Sequence, residues 1–84
     1  MPEILKNGFE LLTLSDVKYE ILSVEIQYNG EQLVQLNIDK GPDKIEIEVY
    51  EFGPHKFQLD DFLYALKIAK ERVTEFYKNS TEEE

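Results

Sequence analysis

Cysteine is absent from this 84-residue chain, which excludes a disulfide framework, a thiolate metal site and a cysteine nucleophile. His55 is the only histidine, and with no second histidine and no Ser or Asp at triad spacing it reads as a residue of a Gly-Pro loop, not as a base or ligand. No GxGxxG, P-loop or CxxC pattern occurs, so nucleotide and redox cofactors have no support and none is expected. The longest apolar run, residues 62–66, is far too short to span a bilayer. Residues 1–3 lack the basic-then-apolar layout of a signal peptide, so a cytoplasmic address and no membrane partner are expected.

Basic residues are also scarce. Nine lysines and arginines face eighteen aspartates and glutamates, a net charge of −9, and the imbalance is unevenly spread. Between residues 9 and 52 ten acids face three lysines, a net of −7, whereas residues 59–78 hold four of each sign and balance to zero. The negative field therefore belongs to the first two thirds of the chain, which argues against direct contact with nucleic acid and for a basic protein partner.

What is present is one strong helical period. Leu59, Phe62, Leu66, Ala69, Val73 and Phe76 recur at spacings of three and four, with Leu63 and Tyr77 widening the stripe, so a helix over residues 59–78 is expected to cover one side of a core. Its first turn carries Asp60 and Asp61 and its last Lys78, as the helix dipole favours. Everything before it alternates like sheet, with strands expected at residues 9–14, 17–29, 31–39 and 44–52. The expected class is α+β, a four-stranded antiparallel meander with one C-terminal helix packed on one face. Residues 1–78 should form a single domain and residues 79–84, ending in three glutamates, a disordered acidic tail. Residues 1–8 stay open between a helical turn closed by Gly8 and a short strand entering an Asn7-Gly8 turn.

Registers follow from matching apolar with apolar. Asn29-Gly30 is a type I′ hairpin signal. A strict two-residue turn would set Val34 against Glu25, so a bulge at Leu33-Val34 or a three-residue loop is expected, pairing Ile26 with Val34, Val24 with Leu36 and Leu22 with Ile38. The phase of alternation changes between Ile21 and Leu22, which predicts a second bulge near Leu22-Ser23. With Lys40-Gly41-Pro42-Asp43 as a loop, Leu36 faces Ile47 and Val34 faces Val49. The expected core is Leu22, Val24, Ile26, Val34, Leu36, Ile38, Ile45, Ile47, Val49, Phe62, Leu66, Ala69 and Val73.

The face away from the helix then carries Glu25, Gln35 and Glu48 across three strands, with the carboxylates roughly 9.5 Å apart. That separation suits an inverting glycosidase, but a flat open face neither raises a carboxyl pKa nor excludes water, so no catalytic residue is assigned and the chain is not expected to be an enzyme. The oxygen ligands are spread too widely for a metal shell, and no metal site is expected. At one end of that face Leu33, Tyr50 and Phe52 break the polar rule. Ringed by Glu25, Glu48 and Glu51, they have the composition of a protein-binding patch, apolar anchors with a charged rim. Tyr64 and Ile68, one turn apart opposite the core stripe, mark a possible second interface or homodimer contact. The expected function is that of a small acidic binding module of inhibitor, immunity or adaptor type, engaging a basic protein through the outer sheet face. The alternative is a DNA-mimic inhibitor of a nucleic-acid-binding protein.

Overall fold

The computed structural model describes residues 3–5, 7–15, 17–50 and 56–81. They form five strands, β1 (Glu3–Ile4), β2 (Phe9–Leu14), β3 (Ser23–Tyr28), β4 (Glu31–Asn37) and β5 (Glu46–Val49), followed by one helix, α1 (Leu59–Thr81). The sheet is an antiparallel meander in the order β1-β2-β3-β4-β5, one strand more than expected. The additional strand is β1, so the second of the two readings of the N-terminal segment holds. No helix among the described residues is long and apolar enough to cross a membrane.

Turn chemistry sets the registers. Asn29 and Gly30 both adopt positive φ, as a type I′ turn requires. Tyr28 faces Glu31 and Gln27 faces Gln32, after which the register shifts so that Ile26 faces Val34 and Val24 faces Leu36. Leu33 is the extra residue, and the bulge keeps the apolar set on one face. Beyond the next turn Val34 faces Val49 and Leu36 faces Ile47. Asn7 and Gly8 also have positive φ, and the Asn29 amide donates to the Gly8 carbonyl at 2.9 Å, which sets the two turns side by side. A Cβ at Gly8 would run into the Asn29 side-chain oxygen. Gly8→Ala is therefore expected to lose about 1–2 kcal/mol, visible as a fall of roughly 4–8 °C in melting temperature per kcal/mol.

Residues 17–22 depart from expectation. They form no strand; β3 begins at Ser23, opposite Leu14. The phase change therefore marks the end of a loop, not a bulge. The amides of Glu20 and Ile21 donate to the two carboxylate oxygens of Asp39, each at 3.0 Å, and this side-chain acceptor replaces the ladder that a strand would have used. Leu22 is consequently exposed instead of buried.

The core lies between the sheet and α1: Phe9, Leu11, Val24, Ile26, Leu33, Val34, Leu36 and Ile38 from the sheet side, Ala65, Ala69 and Val73 from the helix. The two alanines let the helix approach the sheet closely. At one end Phe9, Tyr28, Phe57 and Phe62 pack as a ring cluster with centroids 4.8–6.0 Å apart. Arg72 clamps β1 to the helix with two donors on the Glu3 carboxylate, at 2.9 and 3.0 Å, and Asn7 ties the first turn to Asp61 at 2.6 Å. The helix runs three residues past the expected Lys78 and takes in residues 79–81 of the anticipated tail; residues 82–84 lie outside the described residues.

α1 lies over β2, β3 and β4, and its backbone does not come close to that of β5. A helix is about 10–12 Å wide and strands are about 4.8 Å apart, so one helix covers two strand spacings. Ile47 and Val49, expected in the core, stand 49% and 70% exposed on the helix side of β5.

Candidate protein-binding surface

The outer face of the sheet is not an open carboxylate surface. Ser23, Glu25, Gln35 and Asn37 are all buried, and side-chain hydrogen bonds satisfy Glu25 in one group and Ser23 with Gln35 in another. Glu25, 1% exposed, accepts from the Gln27 amide at 2.6 Å and from the Gln32 amide at 2.8 Å, one donor on each oxygen. Gln35 donates to the Ser23 hydroxyl at 2.8 Å and accepts from the Tyr50 hydroxyl. Buried polar groups satisfied in this way hold their neighbours in one arrangement instead of presenting themselves to a partner.

Two members of the expected patch, Leu33 and Glu25, are therefore withdrawn from solvent. The register does set Glu25, Gln35 and Glu48 in a row and brings Leu33 beside Tyr50, whose amide donates to the Leu33 carbonyl at 3.0 Å. But Leu33 is 7% exposed and belongs to the hydrophobic core, because it is the bulged residue and does not follow the alternation of its strand. Glu25 is likewise removed from solvent, so neither serves as anchor or rim. Tyr50 is half-buried, and Phe52, Glu51 and His55 lie outside the described residues. Tyr50→Phe is expected to lower stability by about 1 kcal/mol, the usual worth of one hydrogen bond onto a buried polar group, and a thermal melt reads it. On the helix Tyr64 is exposed, while Ile68 is half-buried against the core, so the two do not form one exposed pair.

β5 is exposed along its whole length, all four residues of it. Glu46 and Glu48 lie on the outer face, Ile47 and Val49 on the helix side. The acids are held by the chain's own lysines: Lys40 to Glu46 at 2.9 Å and Lys18 to Glu48 at 3.6 Å, with the Tyr19 hydroxyl donating to Glu48 at 3.5 Å. The hydrogen bond from the Lys40 ammonium, and then its charge, hold the Glu46 carboxyl below its usual pKa. The stabilisation from this pair is thus present above the usual carboxylate range and is lost as pH falls through the lowered value. At neutral pH Glu46 is therefore charged.

The backbone of β5 completes the picture. Since Tyr50 bonds Leu33 and antiparallel pairs alternate, Glu48 with Gln35 and Glu46 with Asn37 are the bonded pairs, and Ile47 and Val49 turn their N–H and C=O groups away from β4. Beside this edge, a depression is lined by Leu36, Pro42, Asp43, Ile45, Leu66 and Lys70. Leu59 and Leu63, both exposed, continue the Leu66 flank of the helix at spacings of four and three. Sequence reasoning missed this surface by placing Ile47 and Val49 in the core. The available signal was that β5 closes the meander while a single helix must cover it.

Among the described residues no group of acids and histidine is arranged to hold a metal ion. Comparison with protein-family models, with curated proteins and with solved structures returns no match.

Proposed function

We propose that the chain is a small acidic, non-enzymatic protein-binding module of the cytoplasm that engages a basic protein partner, with the β5 edge in place of the outer face as its contact surface. The observation that carries this reading is the exposed alternation of β5, Glu46-Ile47-Glu48-Val49: apolar residues flanked by acids, on a sheet region whose net charge is −7. Apolar anchors within a charged rim are the ordinary make-up of a transient interface, and the surplus negative charge steers a basic partner toward it. The runner-up, a DNA mimic, needs two exposed rows of carboxylates at phosphate spacing. It is less favoured because Glu25, the one acid of β3, is buried.

The test uses two immobilised baits, the wild-type chain and the Glu46→Lys/Glu48→Lys double variant, in the same native lysate at low and high salt. A basic protein held by the wild type, retained in part at high salt and lost from the double variant, is the expected result. Equal capture by both baits would remove β5 from consideration. Capture abolished by salt alone would favour the mimic.

A further inference from the structure

We infer that the partner engages this protein by strand addition: an extended segment alternating basic and apolar residues lies beside β5 as a sixth strand. The inference rests on the reading of the chain as an acidic protein-binding module and specifies how that module binds.

Three features of β5 converge on this occupant. The N–H and C=O groups of Ile47 and Val49 point off the edge and are not used by β4, so an incoming strand finds a template of main-chain donors and acceptors. The same residues carry the exposed apolar side chains on the helix side, where Leu59 and Leu63 are also exposed. Residues of the incoming strand that pair with Ile47 and Val49 must therefore be apolar. Those opposite Glu46 and Glu48 fall at the non-hydrogen-bonded positions, where side chains approach most closely, and there a lysine or arginine is favoured and an acid is not.

The charge pattern also decides against a second copy of the chain. Pairing β5 with another β5 brings glutamates of one copy against glutamates of the other, two chains of net charge −9 each. Exposed edges are commonly protected by charge, and here the protection is selective: acids on the outer face repel a like strand and admit a basic one. Lys18 and Lys40 already occupy this row, which shows that it accepts ammonium groups. Exposed ion pairs of this kind contribute little, so an incoming basic strand displaces them at small loss.

The test titrates the isotope-labelled full chain with two capped hexapeptides of identical composition, an alternating Lys-Val-Lys-Val-Lys-Val and a block Lys-Lys-Lys-Val-Val-Val, following amide shifts and hydrogen exchange. The alternating peptide is expected to bind at least about tenfold more tightly and to slow exchange at Ile47 and Val49 by a similar factor. Val49→Pro removes an outward N–H that the β4–β5 ladder does not use, and should abolish this preference with little change in melting temperature. If that variant fails to fold, Glu46→Gln/Glu48→Gln, which keeps the edge and removes its charge, should weaken the alternating peptide about tenfold. Equal binding of the two peptides, or binding without protection at Ile47 and Val49, overturns strand addition while leaving the basic-partner reading intact. Failure of both peptides to bind overturns both.

Discussion

Phe9→Ala is expected to unfold the domain at room temperature. Phe9 is fully buried, and its ring lies 4.8 Å from Tyr28, 5.1 Å from Phe57 and 6.0 Å from Phe62. It thereby joins the β1–β2 turn, the β2–β3 pair and the entry to the helix. Truncating a buried phenylalanine costs about 3–5 kcal/mol, through lost transfer energy and an unfilled cavity, and the favourable geometry of aromatic pairs adds to the loss. A domain of this size has a total stability on the order of 5 kcal/mol, so the margin disappears. Circular dichroism of the purified variant should show loss of the cooperative melt at 25 °C. A variant that melts within a few degrees of wild type would show that the cluster collapses around the gap and that the helix is anchored elsewhere.

The parts of this fold legible in the chain are those fixed locally. Asn29-Gly30 specifies its turn because only a few residue types accept two consecutive positive φ values, and the mismatch of Val34 with Glu25 then compels the bulge found at Leu33. The helix is legible from its period, although the buried line runs through Ala65, Ala69 and Val73 and the larger residues flank it. Residues 17–22 were not legible. Their alternation matches a strand, but their amides are satisfied by the Asp39 carboxylate, a partner that no local pattern announces.

The candidate site shows the same division. Which residues share a face could be derived, and the Glu25-Gln35-Glu48 row is in place. Whether that face meets water could not, because burial of Glu25 depends on amides from Gln27 and Gln32 that satisfy its oxygens without a charged partner. Leu33 was misassigned by extending a two-residue period through a bulge that the same pairing argument had required. The β5 edge was missed for a different reason: alternation states that Ile47 and Val49 point toward the helix layer, while only the width of a single helix states that they are left uncovered.

One row of the inner face turns that last point into a measurement. Leu11, Ile26, Val34 and Val49 stand side by side on β2, β3, β4 and β5, alike in chemistry and different in cover. Ile26 is fully buried beneath the helix, and Val49 is 70% exposed. Ile26→Ala should therefore destabilise by about 2–5 kcal/mol, the range for a large aliphatic residue removed from a core. Val49→Ala should lose at most about 1 kcal/mol, since at an exposed edge only strand propensity and slight burial are at stake. Chemical denaturation of both variants decides between a helix that covers three strands and one that covers four. Equal losses at the two positions would return Val49 to the core and leave β5 without the exposed apolar residues on which its role as a contact surface depends. A large loss at Ile26 beside a small one at Val49 leaves the edge uncovered, and the domain then carries on β5 an apolar surface that its own folding does not use.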